Sequence, residues 1–428
     1  MKRHIEAKFL TWMNDPDRKP LIVRGARQVG KSWSINELGK SFAGEIHTIN
    51  LEQRPDWHAV FDLNLDTKRI LSELEILINR KITPGEDLLF FDEIQACPRA
   101  LMSLRYFFEQ VPELHIISAG SLLEFALKDL PFPVGRVQIL DMYPMNFSEY
   151  LQATDQSAMS ELLHESPQAF GQPIHQKFLE SLRTYFSVGG MPACVLSFAH
   201  TGSIRTVRDL QHDLLTTFRQ DFLKYTPHVS TQCLNDVLLA IAQGIGQQIT
   251  YTKLSANFSG PTNKTAFELL HTARIIRRIG SVAPLALPLG GNINSRKFKA
   301  VFLDIGLLTA LRGIDGLYLN NYHALFKGAV AEQFVGQELV AAFNSEVYYW
   351  TREARNSQAE IDYLVAKDNI IKPIEVKSGV SGRLRSLHRI LIEYPSIPWG
   401  YVLSEQTYDE LEEQKLKYLP VYYAGNLG

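Results

Sequence analysis

Over residues 1–150, short apolar runs alternate with longer stretches of mixed polarity. Leu21-Ile22-Val23, Leu88-Leu89-Phe90-Phe91 and His115-Ile116-Ile117-Ser118 read as buried strands, because runs this short suit strands better than helices. Ser32 to Leu38 and Leu101 to Gln110 read as helices between them. Strands alternating with helices predict an α/β fold with a parallel sheet. From Glu149 to about Ala240 the pattern is mostly helical, broken at Val188-Gly189-Gly190-Met191-Pro192. Helices followed by β-like sequence occupy residues 240–311. After Gly313, a helix over Gly328 to Phe343 precedes strands at Val347 to Trp350, Glu360 to Val365 and Ile370 to Val376. No repeat or long linker intervenes. The pattern predicts four packed parts: an α/β domain over 1–150, a helical linker or lid over 151–240, a smaller module over 241–312 and a last domain over 313–428.

The 428-residue length agrees with two to four domains at ~150 residues each. Hydrophobic residues at 45% and charged residues at 21% exclude a disordered or collagen-like chain. A net charge of −2 excludes a globally cationic coat for nucleic acid and leaves room only for a local basic patch. Cys97, Cys194 and Cys233 have no short spacing between them, which argues against a disulfide framework and predicts a reducing compartment. No apolar run approaches ~20 residues and no signal peptide opens the chain, so the expectation is a cytoplasmic protein without a membrane partner.

Gly25-Ala26-Arg27-Gln28-Val29-Gly30-Lys31-Ser32 has the G-x-x-x-x-G-K-[ST] spacing and lies between a strand and a helix. Glycines let the backbone curl until its N–H groups face phosphate oxygens, and the helix N-terminus adds positive potential. Lys31 is then placed to neutralise the β- and γ-phosphates of ATP, and the Ser32 hydroxyl to hold Mg²⁺. The strand at Leu88 to Phe91 ends in Asp92-Glu93, the form of a Walker B segment. Asp92 is placed to reach Mg²⁺ through water and Glu93 to polarise the attacking water. The plainer alternative is an acidic pair capping a helix. Ser121, after the neighbouring strand, is a candidate γ-phosphate sensor. Arg136 is a candidate arginine finger or sensor, and equally a candidate for a surface salt bridge.

These segments, with Phe90-Phe91-Asp92-Glu93-Ile94-Gln95, Gly120-Ser121, Gly135-Arg136, Tyr143 to Tyr150 and Val188 to Pro192, resemble a group of prokaryotic AAA-type ATPases with a C-terminal domain of unknown function. The resemblance covers essentially the whole chain. It implies an AAA-type P-loop ATPase core, a winged-helix-like module and a nuclease-like C-terminal fold. It also implies a homo-oligomer, since in such ATPases a neighbour's arginine commonly completes the site.

Thr252 to Val282 reads as two short helices with a turn at Ser259-Gly260-Pro261, the second running from Thr262 to Ile276, which is helix-turn-helix spacing. Residues 249–300 carry Lys253, Lys264, Arg274, Arg277, Arg278, Arg296, Lys297 and Lys299 against Glu268 alone, eight minus one, or +7. Such clustering predicts a docking face for DNA phosphates, with packing between domains as the alternative.

In the last domain, Asp368-Asn369 suits a two-residue hairpin turn. Residues whose numbers sum to 737 then face each other, so Asp362 opposes Glu375 and Glu360 opposes Lys377. Alternation places these four on one face and Ile361, Tyr363, Val365, Ile374 and Val376 on the other. Opposed carboxylates repel, and a divalent cation would relieve that. Asp362 followed by Glu375-x-Lys377 resembles the PD-(D/E)xK nuclease core, with Glu332 matching its helical acidic residue and Ile361 standing where a proline is usual. The resemblance implies Asp362 and Glu375 as ligands of Mg²⁺ or Mn²⁺, with Glu332 and Lys377 beside them. The alternative is a solvated hairpin face with a Glu360–Lys377 ion pair.

Two functional readings follow. One is Mg²⁺-dependent ATP hydrolysis regulating DNA processing by the nuclease-like domain. The other is a signalling-type ATPase switch whose C-terminal domain binds DNA or protein without cleavage.

Overall fold

The computed structural model describes residues 1–121, 123, 135–225, 229–314, 324–344, 346–354, 357–377 and 384–427. They fall into two compact units, residues 2–143 and residues 144–428.

The first unit is built on a parallel five-stranded sheet. Its strands are β1 (Leu21–Arg24), β2 (Ile46–Asn50), β3 (Leu88–Asp92), β4 (His115–Gly120) and β5 (Gln138–Asp141), in the order β2-β3-β4-β1-β5. The three strands legible as apolar runs are the three central ones, buried along their length as both-face coverage requires. The two edge strands carry no such run. Ile46-His47-Thr48-Ile49-Asn50 alternates and Gln138-Ile139-Leu140-Asp141 is half exposed, because an edge strand needs less apolar cover. Ile22, Ile49, Leu89, Phe91 and Ile116 from the sheet pack with Ile70, Leu74, Leu101, Leu104 and Phe107 from the helices Thr67–Ile78 and Pro98–Gln110. This core holds the carboxyl ends of β1, β3 and β4 together at one rim, where ligands of open α/β sheets bind.

The second unit begins with helices Phe147–Ala153, Ser157–His164, Gln172–Val188, Pro192–Thr201 and Ile204–Tyr225. The break at Val188 to Pro192 has a packing cause. Gly189 has φ 72°, and a Cβ on Gly190 would fall 1.9 Å from the Met145 carbonyl oxygen. The Gly190 N–H donates to Asp304 Oδ2 at 2.6 Å, so the turn is stitched to a segment more than a hundred residues away.

Next come Thr231–Gln243, a 3₁₀ turn at Tyr251–Lys253, the helix Gly260–Thr272, and an antiparallel pair, β6 (Ile276–Val282) and β7 (Ile293–Phe302). The helix starts as expected, with Ser259 accepting from the Thr262 N–H and a proline in its first turn. It ends four residues early, because Arg274 takes φ 63° and Ile276 already belongs to β6. The segment before the Ser259 turn is a 3₁₀ turn rather than a full helix.

The remaining strands are β8 (Tyr348–Ala354), β9 (Ser357–Lys367), β10 (Ile370–Val376), β11 (Gly400–Ser404), β12 (Asp409–Leu411) and β13 (Leu416–Pro420). They join β6 and β7 in one eight-stranded sheet of order β12-β13-β11-β10-β9-β8-β6-β7. The division expected at residue 312 therefore runs through a continuous sheet, since β6 pairs in parallel with β8 at Gly280–Tyr348 and Ser281–Tyr349. Among the described residues no helix is long and apolar enough to cross a membrane.

Candidate functional site

At the carboxyl end of β1 the chain curls through Gly25 to Ser32, with Gln28 at φ 62° and Gly30 at φ 95°. A Cβ on Gly25 would lie 2.3 Å from the Met142 carbonyl oxygen, so only glycine lets the loop leave the strand here. Lys31 opens the helix Lys31–Gly39 and is buried, its ammonium donating to the carbonyls of Gly25 at 3.0 Å and Ala26 at 2.9 Å. Arg27 and Val29 complete the loop, and Val29 is fully buried beneath it.

The end of β3 faces this loop. Ser32 Oγ donates to the Asp92 carboxylate, 3.0 Å from each oxygen, and Asn50 Nδ2 reaches Asp92 Oδ2 at 3.3 Å. Burial raises the Asp92 carboxyl above its ordinary value, and the nearby Glu93 charge adds to that against the Ser32 hydrogen bond. A hydroxyl and a carboxylate are hard oxygen donors, so this pair fits Mg²⁺, which when bound with ATP neutralises phosphate charge. Glu93 has left-handed backbone at φ 50° and its carboxylate accepts from the Gln95 side-chain amide. Gln95 packs at the end of β4, where a Cβ on Gly120 would lie 2.4 Å from its Oε1. Gln95 Oε1 and Ser121 Oγ are buried without a hydrogen-bond partner among the described residues. Buried polar groups are rarely left so, and both stand at the rim the phosphate loop occupies. Sequence alone does not single out Asn50 or Gln95: Asn50 ends an edge strand with no apolar run, and Gln95 carries no spacing signal of its own.

Arg136 lies apart from the phosphate loop. It precedes β5, whose Gln138 pairs with Leu21 at the start of β1. The phosphate loop follows the other end of β1, about 13 Å of strand away. Arg136 instead donates to Glu109 Oε1 at 2.9 Å and is 46% exposed, the surface salt bridge that was the alternative.

The basic run of the middle segment does not form one face. Lys299 and Arg274 are buried, and Arg278 rests against the adjoining rings of Phe267 and Phe298, 5.3 and 4.5 Å from their centroids, and pairs with Glu268. Lys253 and Lys264 are exposed, Arg277 and Lys297 half-buried, and the Arg296 side chain lies outside the described residues.

In the C-terminal sheet the hairpin takes the expected register. Asp368 and Asn369 both have positive φ, and Ile370–Lys367 through Ile374–Tyr363 pair with numbers summing to 737. Beyond the last pair, Val376 N–H donates to Asp362 Oδ2 at 2.8 Å. Strict alternation fails in β9, where the ladder to β8 shifts between Tyr348 and Trp350. Ile361 and Leu364 both pack with Trp350, Leu387 and Ile390, while the Tyr363 hydroxyl between them donates to the Glu332 carbonyl. Tyr363 therefore does not share a face with Ile361, because a bulge adds a residue to one strand.

The ion pairs differ from expectation as well. Lys377 Nζ pairs with Glu375 Oε1 at 2.6 Å, and Glu360 is taken by Lys299 at 2.6 Å. Lys299 Nζ also lies 2.9 Å from Glu332 Oε1 and 3.8 Å from Asp362 Oδ1. Burial opposes charge on Lys299, but Glu332, Asp362 and Glu360 outweigh it and raise its pKa well above the ordinary lysine value. Burial, then the Asp362 charge, pushes the Glu332 and Glu375 carboxyls up to about 7. Lys299 thus gathers Glu332, Glu360 and Asp362, while Glu375, beside the Asp362 charge, is paired with Lys377. Among the described residues no group of three or more His, Cys, Asp or Glu side chains is arranged to hold a metal ion. The set does not fit Mg²⁺ or Mn²⁺ as it stands.

Residues 17–151 match the AAA domain family. Residues 179–318 and 327–423 match two domains of unknown function, DUF8612 and DUF4143. No curated protein matches the chain. Similar solved structures include a Walker-type ATPase of Pyrococcus abyssi, at 18% identity over 73% of this chain and 95% of that one, TM-score 0.45. Another is the RuvB Holliday junction branch migration motor of Thermotoga maritima, at 16% identity over 66% and 90%, TM-score 0.30. At these TM-scores the likenesses decide neither fold nor function. The matched domain, the phosphate loop facing Asp92 and the carboxylate Glu93 agree, and the chain carries an AAA-type P-loop ATPase domain that binds and hydrolyses ATP.

Proposed function

We propose that this protein is an ATP-driven switch, in which nucleotide turnover in the first unit sets what the second unit binds. The carrying observation is the Gln95 hydrogen bond to Glu93. A carboxylate that must polarise water is engaged by its own chain, so hydrolysis waits until Glu93 is released. Gly25 to Ser32 hold the triphosphate, Lys31 neutralises its terminal phosphates, Ser32 and Asp92 hold Mg²⁺, and Ser121 reads the γ-phosphate. The reading includes a cytoplasmic, homo-oligomeric protein. Single-turnover hydrolysis of ATP by wild type, Glu93→Gln and Gln95→Leu tests it. Equal rates in all three would remove Glu93 and Gln95 from the chemistry.

A second reading is ATP-regulated DNA processing by the C-terminal sheet, with a metal admitted only once Lys299 leaves the carboxylates, favoured by Asp362, Glu375 and Lys377 lying on or next to paired strands. DNA would then dock on the exposed Lys253 and Lys264 of the middle segment. Incubation of single-stranded, linear and supercoiled DNA with Mg²⁺ or Mn²⁺, with and without ATP, tests that reading. Cutting that vanishes in Glu375→Ala would establish it.

A further inference from the structure

Lys299 is the residue that the nuclease resemblance does not account for. It sits on β7, and in the sheet order β6 and β8 separate β7 from β9, which carries Glu360 and Asp362. Three strand spacings amount to ~14 Å, more than one lysine spans over a flat sheet. The contact therefore requires the sheet to curl, and β6 and β8 share only two paired positions, a join short enough to allow it. The lysine stem runs past the Tyr349 ring, with Nζ 5.3 Å from its centroid. The side chain is 3% exposed, so its charge is held away from water and depends on the carboxylates around it.

Those carboxylates are spoken for. Glu332 Oε1 and Glu360 Oε1 lie within 3 Å of the ammonium, and Asp362 Oδ1 is 3.8 Å from it. Asp362 Oδ2 accepts from the Val376 N–H, and Glu375 Oε1 accepts from Lys377. Within the cluster of Glu332, Glu360, Asp362 and Glu375, Glu375 Oε2 alone is buried without a partner among the described residues, and one oxygen does not make a metal site.

We propose that Lys299 is the built-in counter-cation of this carboxylate cluster, its ammonium occupying the position that a divalent metal would take among Glu332, Glu360 and Asp362. The same contact ties β7 to β9 and to the helix Ala324–Ala342. A sheet that resembles a metal-dependent nuclease is then held together by a lysine and offers binding without hydrolysis. The inference deepens the switch reading for the second unit but stands on ion-pair geometry rather than on the ATPase.

The test is Mn²⁺ titration of the nucleotide-free, full-length chain followed by EPR, in an Asp92→Asn background that silences the cation position of the phosphate loop. With Lys299 present, no bound Mn²⁺ should be removable by Asp362→Asn. With Lys299→Met, one ion should bind roughly tenfold or more tightly and be lost again on adding Asp362→Asn. Mn²⁺ bound by the Lys299 chain and released by Asp362→Asn overturns the proposal. So does a folded Lys299→Met chain, with native near-UV circular dichroism, that gains no Mn²⁺ binding. If Lys299→Met does not fold, thermal melting of the Lys299 chain decides: millimolar Mn²⁺ should leave its melting temperature unchanged, and a rise that Asp362→Asn cancels overturns the proposal. The switch reading stands or falls by ATP turnover, which this titration does not measure, so the two failures are distinguishable.

Discussion

Ser32 Oγ lies 3.0 Å from both carboxylate oxygens of Asp92, joining the first turn of one helix to the end of a strand sixty residues later. Each group satisfies the other where Mg²⁺ would sit with ATP. Asp92→Asn should therefore lower kcat for ATP about a hundredfold or more, measured by phosphate release. Lys31→Ala should abolish turnover through lost nucleotide binding. Glu93→Gln should leave ATP bound, by filter or fluorescence binding, while hydrolysis falls by about 10²–10⁴.

Gln95 engages Glu93 without being its chemical partner. Gln95→Leu should raise basal kcat severalfold with KM unchanged, because the carboxylate is freed for water. A fall in kcat at the same KM would instead make Gln95 a positioning residue for Glu93, and Gln95→Asn would then restore part of it.

Arg136 lies at the end of the sheet away from the phosphate loop and pairs with Glu109. Exposed pairs contribute ~0–1 kcal/mol, so Arg136→Ala should shift the melting temperature by only a few degrees. Its kcat should stay within about twofold of wild type, as expected for a group outside the chemistry. A loss near a thousandfold would show that it acts as a finger on a neighbouring copy.

Arg278 rests against the rings of Phe267 and Phe298 and is paired with Glu268. Arg278→Ala should cost about 1–2 kcal/mol in denaturant unfolding, through lost cation–π contact and packing. DNA affinity in a salt titration should not change, whereas a weakened and flatter salt dependence would return this residue to a docking role.

Glu338 is fully buried, and burial pushes its carboxyl up to about 8, partly offset by the hydrogen bond from the Phe147 N–H. Its folded pKa exceeds the unfolded value of 4.5, so the folded state binds more protons between those values. The stability it contributes is complete below pH 4.5 and is lost as pH rises through 8. Glu338→Gln keeps an oxygen for Phe147 and removes the charge. Its melting temperature should match wild type near pH 5 and exceed it by a few degrees at pH 8.5. Equal melting at both values would show that Glu338 gains solvent or a partner when it ionises.

Local spacing was legible to the extent that local geometry decides the outcome. The phosphate loop follows from two glycines, a lysine and a serine at set intervals, because a strand-to-helix turn leaves little other backbone freedom. The β9–β10 register follows from Asp368-Asn369, since two adjacent residues at positive φ dictate which partners meet along the hairpin. The central strands β1, β3 and β4 are apolar runs because both of their faces are covered.

Tertiary structure decided what depends on neighbours far apart in sequence. Eight basic residues in one segment predict a face only if the backbone presents them together, and a buried Lys299 and an Arg278 laid against two phenyl rings show that it does not. Arg136 was placed by which end of β5 meets which end of β1. The bulge in β9 moved Tyr363 off the face that alternation assigned it. The meeting of Lys299 with Glu332, Glu360 and Asp362 joins three segments across a curled sheet. Charge pairing acts through space, and only the folded chain sets those distances.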